Sequence, residues 1–157
     1  DLLRDSEERF ADLHHNVPLL ARRLLDDLKS ITWRMFLGEL PTLPIGLCAA
    51  GDCSPVALRV AALRDKDVFA VVCRSGLIDL AGTLYLRSLT APLLVLVADD
   101  DERVVASNRR ALRELSCRKE LMLLPSGGEA SDPATVGQRL ARETTQWFVH
   151  NLPIRTA

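Results

Sequence analysis

Four cysteines, three histidines and one dense run of acids are the residues of this sequence whose types could carry chemistry. Cys48, Cys53, Cys73 and Cys117 form no CxxC pair, and no histidine stands at metal-ligand spacing from them, so neither a metal nor a cofactor is expected. Free buried thiols fit a reducing cytoplasm, the compartment expected for this chain. A cysteine nucleophile would need a histidine or another base beside it to react at neutral pH. The histidines stand far apart, His14 and His15 near the start and His150 near the end. Asp99-Asp100-Asp101-Glu102 follows an apolar run. Such a cluster either supplies a carboxylate that orients a base, or is a solvated loop in which one acid caps the next helix. Gly51-Asp52-Cys53-Ser54 precedes a helix, where backbone amides could hold a phosphate or carboxylate. That turn lacks the P-loop lysine and the GxGxxG spacing, and Asp52 would repel an anion.

The elements that must position these residues alternate between helix and strand. Ser6 to Phe36 reads as one long helix, with Leu13, Val17, Leu20, Leu24, Leu28 and Ile31 as its buried stripe. Pro18 is expected to kink or divide it. Ile45 to Ala49 is a short apolar strand, and after it Asp52 or Ser54 could cap a helix whose first turn includes Pro55. Val68 to Cys73 is a second strand, Asp79 to Ser88 a short helical or irregular piece, and Leu93 to Ala98 a third strand. A helix over about Val104 to Leu115, a fourth strand over Glu120 to Leu124, a loop over Pro125 to Asp132 and a closing helix over Pro133 to Leu152 complete the chain. Continuous apolar strands alternating with helices mean a parallel sheet covered on both faces. The expected fold is therefore α/β, a doubly wound, mostly parallel sheet of about four strands. Ligands on such sheets bind at the C-terminal strand ends, the loops after Ala49, Cys73, Ala98 and Leu124.

Bulk properties narrow the partners. A chain of 157 residues is one domain by size, and 48% hydrophobic with 26% charged residues is ordinary for a globular protein. Twenty basic and 21 acidic residues leave a formal net charge of −1, which gives no global field for nucleic acid or anionic lipid. No apolar run approaches the roughly 18 residues of a membrane span. The chain opens on the charged stretch Asp1 to Arg9 without a methionine, which leads to the expectation of a fragment or excised domain.

Several short motifs share one likeness. Leu43-Pro44-Ile45-Gly46-Leu47-Cys48-Ala49-Ala50-Gly51 resembles the strand and nucleophile elbow of bacterial dienelactone-hydrolase-like proteins, a branch of the α/β-hydrolases. The likeness continues through Arg74-Ser75-Gly76, Asp79-Leu80-Ala81-Gly82, Ala91 to Val97 and Asn108-Arg109, so it covers nearly the whole chain. It implies that residues 1–157 are a single, partial α/β-hydrolase-like domain, the C-terminal part of the fold. The preceding strands, or a fused domain such as a phosphoribosyltransferase, would then be its structural partner. Small esters, lactones or carboxylates are the ligands the resemblance implies.

The family's chain order is nucleophile, acid, histidine. Placing the elbow at Ala49-Ala50-Gly51-Asp52-Cys53 puts the serine position on Gly51, which has no side chain to attack a carbonyl. The other register, Gly46-Leu47-Cys48-Ala49-Ala50, makes Cys48 the nucleophile and requires the strand to end by about Ile45. Asp101 matches the family's acid. The histidine position falls on Glu129, a residue that acts as a base only if burial raises its pKa. Together these residues imply a degenerate hydrolase domain without ester hydrolysis. Two alternatives stay open: an active hydrolase using Cys48, and an anion-binding or sheet-completing module of a larger enzyme.

Overall fold

The computed structural model describes Leu2 and residues 15–126 and 132–153. Four parallel strands form one sheet in the order of the sequence: β1 (Ile45–Ala50), β2 (Val68–Arg74), β3 (Leu93–Ala98) and β4 (Lys119–Leu124). Between them lie α2 (Cys53–Leu63), a 3-10 turn (Ile78–Ala81) with α3 (Thr83–Ser88), and α4 (Glu102–Glu114). Each crossover advances the sheet in the same direction, and crossovers share one hand, so these helices all lie on one face. The helix α1 (Val17–Phe36) packs on α2 outside that layer, and α5 (Pro133–Asn151) covers the other face.

Strand alternation divides the core accordingly. Val71, Cys73, Leu93, Val95 and Val97 pack towards α2, α3 and α4, while Ala70, Val72, Leu94, Leu96 and Leu124 pack with Trp147 under α5. The central strands β2 and β3 are buried on both faces, as their unbroken apolar sequences require. The outer strands β1 and β4 are only half-buried. Gly46 in β1 has its own reason: a Cβ there would lie 2.5 Å from Cε1 of Phe148, so the ring of α5 occupies the side-chain position. Phe148 in turn meets Phe69 edge-on at 5.8 Å.

Three local expectations are corrected. Of the two outcomes expected for Pro18, the kink is absent: it lies in the first turn of α1, where its missing N–H costs nothing, and Asn16 caps that turn by accepting the Leu19 N–H at 3.1 Å. The expected earlier part of that helix, residues 6–14, lies outside the described residues. Of the stripe, Val17, Leu20 and Leu28 are buried, but Ile31 is 40% exposed. The thiols are free, but only Cys73 is buried; Cys48 and Cys53 are exposed. No helix among the described residues is long and apolar enough to cross a membrane.

Candidate active site

Only Gly51 and Asp52 separate the end of β1 from the start of α2, so the chain must reverse within two residues. Gly51 does this with φ +53, in the left-handed region that side-chain-bearing residues enter at a cost. Its N–H donates to the Arg74 carbonyl at 2.9 Å, and its carbonyl accepts from the Ser54 N–H at 3.0 Å. A Cβ at Gly51 would meet nothing within 4 Å. The turn therefore has the sharp form of a nucleophile elbow and leaves open space where a nucleophile would project.

The loop after β2 is locked onto this turn. Gly76, at φ +86, approaches so closely that a Cβ there would lie 2.1 Å from the Gly51 carbonyl oxygen. Ser75 stands beside it at φ 59, an unusual conformation for a residue with a side chain. Two bonds hold it there: the Ser75 N–H donates to the Leu96 carbonyl at 2.7 Å, and the Ser54 Oγ donates to the Ser75 carbonyl at 2.9 Å, while Asn108 fixes the next residues. The Asn108 side chain donates to the Gly76 carbonyl at 3.1 Å and accepts the Ile78 N–H at 3.2 Å. Ser54 and Asn108 are both fully buried. Neither of these two positioning residues was expected from the sequence to hold the loop after β2. Their signal in the sequence is a small polar side chain on the buried face of a helix. Ser54 is also not the cap of α2; Asp52 holds that position without a side-chain bond, because the Ser54 hydroxyl is committed to Ser75.

The remaining candidates are spread more widely. Asp101 is the N-cap of α4, its Oδ1 accepting the Val104 N–H at 3.1 Å. Its neighbour Asp99 reaches across to the end of β4, where its Oδ1 accepts from the Ser126 N–H at 3.0 Å and the Ser126 Oγ at 2.6 Å. The Ser126 hydroxyl holds the Asp99 carboxyl below its ordinary pKa. Cys48 lies inside β1, paired with Val72, and β1 continues two residues beyond it to Ala50. Partial burial raises its thiol pKa, and the Arg74 charge opposes that rise without cancelling it. The Cys73 thiol, wholly buried, is pushed up to about 12, chiefly by desolvation.

His15 Nδ1 lies 3.4 Å from Asp52 Oδ2, so the fold brings one histidine to the turn that sequence order places upstream of it. Both side chains are exposed. His150 lies elsewhere, lining a second hollow with Trp147, Arg118 and Glu143. Glu129 lies outside the described residues, as does His14. No group of acids, histidines and cysteines among the described residues could hold a metal ion.

The strand ends enclose a cleft of about 420 Å³. Gly51, Arg74, Ser75 and Ser126 line its rim, with Leu96 and Leu140 among its apolar residues. Cys48 and Asp101 do not line it.

No family model matches the chain. The crystal structure of dienelactone hydrolase from Anabaena variabilis superposes with a TM-score of 0.85 at 30% identity, covering 98% of this chain and 71% of that one. A cold-adapted esterase from an Arctic intertidal metagenomic library superposes with a TM-score of 0.68 over 97% of this chain and 63% of its own, at 18% identity, a likeness of fold alone. Two Mycobacterium tuberculosis sequences, from strains CDC 1551 and H37Rv, are 32% identical over 153 residues, or 97% of this chain. Both carry the name "Putative phosphoribosyl transferase". The chain spans 33% of the length of these curated relatives.

Proposed function

The chain belongs to the dienelactone-hydrolase family of α/β-hydrolases, and from that membership we propose that it is a degenerate hydrolase domain, one that keeps the elbow and its cleft but does not hydrolyse esters. The observation that carries this reading is Gly51. It occupies the strand-to-helix turn at φ +53 with open space before it, the place from which a nucleophile attacks, and it has no side chain. In this reading Asp101 keeps the acid position and Glu129 replaces the histidine. Asp101 already has a role that needs no catalysis, since it caps α4. The cleft then serves to hold a small molecule rather than to turn it over.

The mycobacterial relatives favour a companion reading for the parent protein, in which this domain accompanies a phosphoribosyl transferase domain and completes a larger assembly. The free thiols of all four cysteines favour a reducing compartment such as the cytoplasm.

The test is to treat the full-length parent with an acylating activity probe and a thiol-directed probe, and to map labelled residues by mass spectrometry. Absence of labelling that depends on the folded state, with no hydrolysis of short esters and lactones, is the expected result. Selective, fold-dependent labelling of Cys48 with ester turnover would instead establish a cysteine hydrolase.

A further inference from the structure

One margin of the sheet carries backbone groups without partners. β4 pairs with β3 on one side, and among the described residues no strand lies on its other side. The Arg118 carbonyl accepts the Leu93 N–H at 2.9 Å, and the Leu124 carbonyl accepts the Asp99 N–H at 3.0 Å. Residues 118, 120, 122 and 124 therefore turn their backbone groups towards β3, and alternation points those of Lys119, Leu121 and Leu123 outwards. Edge strands are normally blunted by proline, by a bulge or by charge along their length. β4 has charge only at its start, in Lys119 and Glu120. Leu121 to Leu124 is apolar and free of proline, and its register with β3 is unbroken.

The space above this edge has a different character. A hollow of about 240 Å³ lies between β4 and α5, with Leu94 and Met122 as its apolar part and Glu120 and Glu143 as its acids. It shares no lining residue with the cleft at the strand ends. Glu120 forms no ion pair with a described residue. Glu143 meets Arg142, its neighbour in sequence, whose side chain is 65% exposed. Arg118, which also lines the hollow, is committed: its Nη1 donates to Asn151 Oδ1 at 3.3 Å, and its guanidinium lies 5.3 Å from the centre of the Trp147 ring.

The geometry points to the outer edge of β4 as a docking site for an extended segment of a partner protein. The segment adds a strand to the sheet and places a lysine or arginine beside Glu120 and Glu143. In this mode main-chain bonds give affinity and alternate side chains give specificity. A residue directly opposite Glu120 has its Cβ roughly 5 Å away, where opposite charges attract and like charges repel. From there a long basic side chain reaches the hollow and lays its stem along Met122. The other face of the added strand continues the row of Leu121 and Leu123, which pack with the core on that side. The partner segment is thus one of alternating basic and apolar residues. A second copy of β4 fits less well. Paired antiparallel about Lys119 or Glu120, it sets like charges opposite each other; paired about Leu121 or Met122, it brings no cation opposite Glu120.

The experiment titrates the chain with the peptide acetyl-Val-Arg-Val-Arg-Val-amide, followed by amide and indole shifts in NMR. Beside it are run the same peptide with glutamate for arginine, the arginine peptide with its amides N-methylated, and butylguanidinium. Expected are saturable binding of the arginine peptide with shifts at the Lys119, Leu121 and Leu123 amides and at the Trp147 indole. Affinity should be at least about tenfold weaker for the glutamate peptide and lost on N-methylation. Glu120→Lys, at an exposed position, should fold and invert the order of the two peptides. Arg155, beyond α5, lies outside the described residues, so the titration is repeated with Arg155→Gln, where equal or tighter binding is expected. Equal affinity for both peptides, binding that survives N-methylation, loss of binding in Arg155→Gln, or no binding would each overturn the inference. Butylguanidinium binding as tightly as the peptide would reduce the site to a cation pocket and overturn the added strand. A stable dimer of the chain in sedimentation, with the Leu121 and Leu123 amides protected from exchange, would assign the edge to a second copy and overturn the partner segment.

Discussion

Gly76 and Gly51 meet backbone to backbone, and the two positions differ in the room they leave for a side chain. A Cβ on Gly76 would fall 2.1 Å from the Gly51 carbonyl oxygen, whereas a Cβ on Gly51 would enter open space. The two glycines lie on neighbouring loops, after β1 and after β2, yet one is required by packing and the other by backbone conformation alone.

Gly76→Ala is therefore expected to be costly. It combines the left-handed penalty at φ +86 with a clash against backbone that cannot rotate away. A loss of about 2–4 kcal/mol is expected in urea denaturation, with disturbed amide shifts at Gly51 and Ser54. A variant as stable as the parent would show that the two loops are not locked together.

Gly51→Ser should fold. The φ of +53 costs about 1–2 kcal/mol for a residue with a side chain, and a Cβ there meets no neighbour within 4 Å. Ester hydrolysis is expected to stay at background in a p-nitrophenyl acetate assay, because a serine without a base is not activated. Turnover restored by this single change would mean that a base is already in place.

Asn108→Ala should destabilise by about 2–4 kcal/mol, since it strips partners from the Ile78 N–H and the Gly76 carbonyl inside the protein. Hydrogen exchange at the Ile78 amide should accelerate in the variant. Asn108→Asp keeps the acceptor and loses the donor, so the Ile78 amide should stay more protected in it than in the alanine variant.

The thiols predict an order of alkylation. Exposed Cys53 should react first, Cys48 more slowly because its pKa is raised, and Cys73 only on unfolding. Cys73 also makes stability depend on alkaline pH. Its folded pKa of about 12 exceeds the ordinary 9.0, so the unfolded chain releases this proton first as pH rises. Its contribution is intact below pH 9.0 and is lost progressively from there towards about 12. A Cys73→Ala variant should show a flatter stability profile across that interval.

Asp99 acts at the other end of the scale. Its folded pKa is depressed below 3.8, so its contribution is present above that value and is lost as pH falls through the folded pKa. The Ser126 amide resonance should follow that titration, and Asp99→Asn should abolish the dependence. An acid titration that leaves Ser126 unmoved would show that the bond between the β3 and β4 ends does not persist in solution.

The order of strands and helices was legible in the sequence because apolar runs such as Leu93–Ala98 are too continuous for anything but a strand buried on both faces. The sharp turn after β1 was legible for a related reason: small residues follow a strand and precede a helix, and only glycine enters the left-handed turn cheaply. The sequence left open whether Pro18 kinks the first helix or divides it, because Pro18 suits a first turn as well as it breaks an interior, and periodicity alone does not separate the two.

Contacts between segments distant in the chain were not legible. The sequence shows Arg74-Ser75-Gly76 and Asn108 as separate motifs, but only the packing of α4 beside the β2 loop makes Asn108 the residue that holds Gly76 and Ile78. In the same way, the acid that meets the β4 end is Asp99, while Asp101 turns back to cap its own helix. Residue type and period determine which elements form, because those depend on neighbours in sequence. Which polar groups meet at the strand ends depends on register and crossover geometry, and that was decided only when the four strands lay side by side.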